Sequence, residues 1–162
     1  MTQPDAVDTA DIAGTARSRE LEALNEIART ATLDLELRPM LQRITDTLLQ
    51  KFGWPFVALA SVDAEQEVFV CEALSTLLPS AVNVGYTRKL GTGVVGEVAL
   101  KGEPILLDDV LASSNYVETM PGSRSELCVP VRHGGRIVAI LNLESTEAGA
   151  FHDQLPLLQT VA

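Results

Sequence analysis

Basic residues are few. The 162-residue chain sets 12 Lys and Arg against 22 Asp and Glu, a formal net charge of −10 at pH 7. With a sequence pI near 4.5, this balance argues against a phosphate-tracking surface, because nucleic-acid affinity comes chiefly from Lys and Arg displacing condensed counterions. No nucleic acid is expected as a partner. Cysteine is scarce as well: Cys71 and Cys128 are too few for a disulfide framework and lack the C-x-x-C spacing of a redox couple or zinc site. Both are expected as reduced, buried thiols of a cytoplasmic protein. The opening residues MTQPDAVDTADIAG are acidic and small, without the basic and apolar regions of a signal peptide. No apolar run approaches the ~20 residues that span a bilayer, so no membrane segment is expected within the chain. What is present is an ordinary globular composition, 46% hydrophobic and 21% charged, enough to build a core in one domain.

Residues 1–16 carry Asp5, Asp8 and Asp11 with no sustained apolar period, and are read as a flexible lead-in to a domain over 17–162. From Arg17 the pattern changes: Leu21, Leu24, Ile27, Ala28 and Ala31 recur at helical spacing. Asp34 to Phe52 predicts a second helix, with Pro39 in its first turn, Leu41, Ile44, Leu48 and Phe52 on one face, and Gly53 as its stop. Pro55 to Asp63 and Glu67 to Ser75 then predict a hairpin, the first strand apolar at nearly every position and so suited to the centre of a sheet. Residues 78–90 read only as extended. LGTGVVGEVALK (90–101) predicts a tight turn feeding a short helix, EPILLD (103–108) a strand, and 109–118 a short helix or irregular loop. Ser125 to Arg132 and Arg136 to Ser145 predict two strands around His133-Gly134-Gly135, whose glycines supply the positive φ of a tight hairpin. A last helix is expected from near His152, with Leu155, Leu158 and Val161 on one face. Its stripe still runs at Ala162, so it is expected to continue in a longer protein.

The segments LGTGVVGEVALKGEPILLDDV, SRSELCVPVRHGGRIVAILNLES and AFHDQLPLLQTVA, in that order, closely resemble the GAF domains of bacterial sensor kinases and diguanylate cyclases. With the upstream helices and hairpin, the resemblance covers about residues 20–162. It implies an α+β fold: a six-stranded antiparallel sheet with a helical bundle on one face and short helices and loops enclosing a pocket on the other. The order of elements read from the residues agrees with that layering.

The resemblance does not fix the chemistry, because GAF domains include ligand sensors, chromophore carriers, a few enzymes and dimerisation modules. The Gly91-Thr92-Gly93 turn lacks the lysine and serine of a P-loop, and Gly96 alone does not complete a dinucleotide fingerprint. It is read as a turn that lets strand and helix pack closely. The Asn-Lys…Phe…Asp-Glu signature of cyclic-nucleotide-binding members has no counterpart here. Neither cysteine is followed by the histidine common at bilin attachment sites, and His133 and His152 fall in a turn and at a helix start, poorly placed as haem ligands. No cofactor is expected.

Similarity to the GAF enzymes that reduce free methionine-(R)-sulfoxide is strongest at Ser125-Glu126-Leu127, with Asn142 and Glu144 in the places of two acidic substrate-holding residues. The thiol nucleophile is missing: Thr119 stands seven residues before Glu126, and Val94 and Val95 follow the glycine turn. The domain is therefore expected to be non-catalytic. Strand alternation puts Glu126 and Cys128 on one face, with Asn142 and Glu144 on the neighbouring strand beside them. The expected pocket adds a lid from Asp109 to Arg124 carrying Tyr116 and Met120, with Arg124 either binding an anion or neutralising Glu126. Its occupant is an unidentified small-molecule ligand. The terminal helices are expected to pair in a homodimer and to control a C-terminal diguanylate cyclase or histidine kinase. The alternatives are a dimerisation module with a collapsed pocket and, below it, a sulfoxide reductase-like enzyme.

Overall fold

The computed structural model of the chain describes residues 9–31 and 36–162. Helices α1 (Thr9–Ala31) and α2 (Leu37–Phe52) precede every strand. α1 starts before the predicted stripe: residues 9–16, expected as a lead-in, are already helical, carried by the propensity of Ala10, Ala13 and Ala16 and not by apolar periodicity. The rest of that lead-in, with Asp5 and Asp8, lies outside the described residues, as does Asp34 before α2. The buried seam of α1 follows Ala23, Ile27 and Thr30, while Leu21, Ala28 and Ala31 are exposed. Small residues at two of those seam positions let α1 approach α2 closely, which rotates the expected stripe. α2 turns Leu41, Ile44, Leu48 and Phe52 to the core and ends at Gly53, whose φ of +69° is the left-handed cap that glycine adopts without a Cβ penalty.

Six strands follow: β1 (Phe56–Asp63), β2 (Val68–Thr76), β3 (Thr87–Lys89), β4 (Ile105–Leu107), β5 (Ser125–His133) and β6 (Arg136–Ser145). They form one sheet in the order β3-β2-β1-β6-β5-β4, with every neighbouring pair antiparallel. The nearly continuous apolar run of β1 sits near the middle, between β2 and β6, with its first five residues buried. The β5–β6 hairpin turns through Gly134 and Gly135 at φ of +57° and +79°, the pair of positive angles that the sequence supplied.

The two faces of the sheet bury different material. Val57, Leu59, Ala73, Leu127, Val129, Leu141 and Leu143 point to one side, where Leu48 of α2, Phe151 and Leu158 of α4 (Leu155–Val161) close the main core and Ile27 of α1 packs against it. Trp54, stacked on Phe52 with ring centres 4.4 Å apart and edge-on to Phe151, seals one end. The last helix begins three residues after the predicted start at His152, and the side chain of Val161 lies outside the described residues. On the opposite side, Phe56, Ala58 and Cys71 meet Val82 and Met120, while Cys128 and Ile140 pack against Val94, Val98 and Ala99 of α3 (Gly93–Lys101). No helix among the described residues is long and apolar enough to cross a membrane.

One irregularity places the site. Between Leu59/Ala60 of β1 the register with β2 shifts, so Ala73 lies opposite Leu59 and Cys71 opposite Ala60, with Glu72 as the extra residue. Without the bulge, strict alternation would put Cys71 on the same face as Ala73. With it, Ala73 joins the main core and Cys71 the other layer.

α3 lies tight against the sheet edge because Gly96 has no side chain. A Cβ there would stand 3.0 Å from the Lys89 carbonyl oxygen and 3.1 Å from the Gly91 nitrogen, both backbone atoms. Gly96→Ala is therefore expected to lower stability by about 1–2 kcal/mol in urea denaturation, despite the roughly 1 kcal/mol of helix propensity that alanine brings. An unchanged midpoint would show that α3 can move outward freely.

Candidate functional site

The β5–β6 register sets Glu126 directly opposite Glu144 and Cys128 opposite Asn142. All four are buried, Glu126 being 3% exposed and Glu144 0%. Two carboxylates facing each other in a dry interior cannot both carry charge cheaply, because desolvation and mutual repulsion each favour the protonated form.

Their hydrogen bonds tell the two apart. Glu144 accepts from three hydroxyls delivered by the lid: Tyr116 at 3.0 Å, and the Ser123 and Thr119 side chains. Burial still raises its pKa above the usual carboxylate range, but these donors pull it back. Glu126 has much less support. The Cys128 thiol is 3.5 Å from its Oε1 and 3.2 Å from Asn142 Oδ1, so a single proton serves two acceptors, and Glu126 Oε2 is buried with no partner. Burial first and the neighbouring Glu144 second push the Glu126 carboxyl far up, so of the two it holds its proton more firmly. Burial likewise raises Tyr116, which remains a donor, and Cys128, which remains a thiol.

Beside this cluster lies a cavity of about 40 Å³. Phe56, Ala58, Val82, Val94 and Val117 form its apolar walls, and Glu126, Asn142, Thr119, Cys71 and Arg88 also line it. By the rule that one water needs roughly 10–15 Å³ of such space, it holds about three waters' worth. It is flanked by β1, β2, β3 and the start of α3, so it sits further toward β3 than the sequence placed it.

The eight residues expected at the site divide accordingly. Glu126 and Asn142 line the cavity. Cys128 and Glu144 join them through the thiol and the strand pair, and Tyr116 anchors the lid on Glu144. Met120 is fully buried against Phe56, Ala58, Cys71 and Val82, behind the cavity wall. Asp109 and Arg124 are elsewhere: they pair with each other at 2.7 Å, both part-exposed, and Asp109 also accepts the Leu111 N–H to cap the 3₁₀ turn Val110–Ala112. Arg124 thus neutralises Asp109 and not Glu126, because the chain turns its side chain outward just before β5 begins. His133 and His152 are exposed, as their positions in the sequence implied.

Most of the lining escaped the sequence reading, Arg88, Cys71 and Thr119 among it. Arg88 lies in the extended stretch 78–90, which has no period to orient it; in the structure it pairs with Phe69 across β2–β3 and shares its face. Cys71 was hidden by the bulge, and Thr119 lies in an irregular loop, where alternation carries no information.

The comparisons with known proteins follow this geometry. Residues 34–162 match the family model of the GAF domain. The chain is 25% identical over 114 residues to GAF domain-containing protein A of Dictyostelium discoideum, 70% of this chain and 68% of that one. Among solved structures it is similar to free methionine-R-sulfoxide reductase from Neisseria meningitidis in complex with its substrate, with a TM-score of 0.78 and 23% identity over 99% of this chain and 90% of that one. It is also similar to the GAF domain of phosphoenolpyruvate-protein phosphotransferase from Acinetobacter, with a TM-score of 0.76 and 19% identity over 88% and 87% of the two chains. At these identities the structural likeness is one of fold.

The protonated Glu126 makes stability pH-dependent in a defined direction. Its folded pKa lies above the ordinary 4.5, so the folded chain keeps a proton that the unfolded chain gives up. Stability is full below that ordinary value and falls as pH rises toward the folded one, by at most about 1.4 kcal/mol per pH unit for one proton. Glu126→Gln, which copies the shape of the neutral acid, is expected to flatten this slope in urea denaturation measured from pH 4 upward. Superimposable pH profiles of the two proteins would mean that Glu126 is ionised in the fold.

Proposed function

The chain belongs to the GAF domain family, and we propose that it is a non-catalytic sensory module that binds a small molecule in the cavity beside Glu126 and passes the binding on to an attached signalling domain. The observation that carries this reading is the cavity itself, an apolar chamber whose lining includes two buried polar side chains, Glu126 and Asn142.

The way out of the site is built into the strands. In β1, Phe56 and Ala58 form cavity wall while Val57 and Leu59 support the helical layer, so a shift on one face of the strand is felt on the other. The helical layer then carries the change to the output, which we take to be a diguanylate cyclase or histidine kinase joined after the last helix. A homodimer through the terminal helices fits the same scheme, supported by Leu21, 54% exposed on α1. A cytoplasmic setting accords with two unpaired thiols.

The non-catalytic reading rests on thiol chemistry. A sulfur nucleophile must be a thiolate, yet burial raises Cys128 far up and pushes Cys71 up to about 11. Thr119 cannot substitute, since its hydroxyl donates to Glu144. The small cavity favours a second reading, a dimerisation module whose pocket has closed on itself.

Protein purified under native conditions and then denatured is expected to release a small molecule in stoichiometric amount, detected by mass spectrometry of the supernatant. Ala58→Leu, which fills the cavity from its floor, should abolish that release while the fold, followed by circular dichroism, persists. Release of nothing, together with ligand-free wild type and Ala58→Leu that dimerise alike, would favour the dimerisation module.

A further inference from the structure

The residues that line the cavity divide by exposure. Phe56, Ala58, Phe69 and Cys71 are buried and form its floor, whereas Tyr86, Arg88, Thr92, Val95, Val117 and Thr119 are at least partly exposed and mark its mouth. The mouth is thus framed by β3, the start of α3 and the lid. Away from the mouth, the attachments of the lid are buried or run through the backbone. At its base Arg124 Nη2 donates to Asp109 Oδ2 at 2.7 Å, the Val110 N–H donates to the Arg124 carbonyl, and the Arg124 N–H donates to the Ser145 carbonyl. Inside, Met120 is fully buried, the Thr119 and Ser123 hydroxyls hold Glu144, and the Ala81 N–H holds the Thr119 carbonyl. Along the mouth, among the described residues, one side chain makes the hydrogen bonds from the lid to α3. Asn115 Oδ1 accepts the Gly93 N–H at 3.2 Å, and Asn115 Nδ2 donates to the Gly93 carbonyl at 3.2 Å and to Glu97 Oε2 at 2.6 Å. Beside it, a Cβ on Gly93 would stand 3.2 Å from Val117 Cγ2, so the bare glycine lets the lid settle against the helix.

We propose that Asn115 is the latch of a gate into the cavity, and that the lid opens along its seam with α3 while its base and the stretch from Thr119 to Ser123 stay in place. The attachments differ in what opening costs. Parting buried groups leaves each of them without water, at about 1–3 kcal/mol apiece, whereas a bond between groups that solvent can reach is replaced by water at a net cost of about 0.5–1.5 kcal/mol. Asn115 and Glu97 are both part-exposed, so the seam is the side that gives way. The latch is still firm when shut, because its acceptor is charged. Lys101 first and Asn115 second hold the Glu97 carboxyl below its usual range, and an ionised acceptor strengthens the bond from Asn115 Nδ2. Lys101, one helical turn further on, also steadies Glu97. Of the three hydroxyls on Glu144, only that of Tyr116, the neighbour of Asn115, leaves with the moving segment, and Thr119 and Ser123 remain. A gate of this kind serves any occupant, so the role of Asn115 does not depend on which molecule the cavity takes.

The two thiols supply the test. Cys71 lies in the cavity floor and reports on the gate, while Cys128, fully buried against α3 and outside the cavity lining, reports on general loosening of the fold. The native chain is treated with methyl methanethiosulfonate, a small thiol reagent, and the rate at which each cysteine is labelled is read by mass spectrometry of its peptide. Asn115→Ala is expected to raise the Cys71 rate, relative to that of Cys128, about tenfold or more. Asn115→Asp keeps the size and shape of the side chain but replaces its two donors by a charge facing Glu97, and should raise the ratio at least as far. Asp109→Asn, which weakens the pair at the base of the lid, should raise it less than either. A plain loss of stability speeds both thiols alike and leaves the ratio unmoved. A ratio unchanged in Asn115→Ala, Asn115→Asp labelled like wild type, or a larger effect from Asp109→Asn would each overturn the proposal.

Discussion

Glu126 and Glu144 face each other across β5 and β6, both buried, and the surroundings of both follow from that opposition. Burial and mutual repulsion oppose charge on both at once. The lid sets the two apart by sending three hydroxyls, from Tyr116, Thr119 and Ser123, to Glu144 alone. These bonds also fix the irregular segment that closes the cavity. Ala81 N–H and the Ser80 hydroxyl both bind the Thr119 carbonyl, tying the lid to the loop before β3. A buried polar cluster of this kind is costly when half satisfied, and the part left without a partner is Glu126 Oε2.

A sheet with two buried faces links this cluster to the rest of the molecule. Each strand alternates between the two layers, so Glu126 and Cys128 lie on the side of the cavity and α3 while Leu127 and Val129 face the helices of the main core. The β1–β2 bulge allows one strand to serve both layers out of step, with Ala73 in the main core and Cys71 at the cavity. Close packing then makes movement on either face costly for the other, since protein interiors have few voids to absorb a shift. Arg88 is the exception: it lies near the sheet's edge, part-exposed and unpaired among the described residues.

What could be read in advance follows the range of the interactions concerned. The stop of α2 at Gly53, the Gly134-Gly135 hairpin, the central place of β1 and the shared face of Glu126, Cys128, Asn142 and Glu144 all depend on local periodicity and backbone preference, so the sequence determined them alone. The family likeness was also legible, through motifs contiguous in the chain. Only the tertiary structure decided that Arg124 serves Asp109, that Cys71 turns to the cavity, that α1 buries Ala23 and Thr30 while exposing Leu21, and that Arg88 stands beside the start of α3. Each of these rests on a bulge, a loop or the approach of elements distant in sequence, where neither the period of two nor that of 3.6 operates. The same holds for the glutamate pair: both residues are written in the chain, but which one holds its proton more firmly is set by hydroxyls that the folded lid brings to one side.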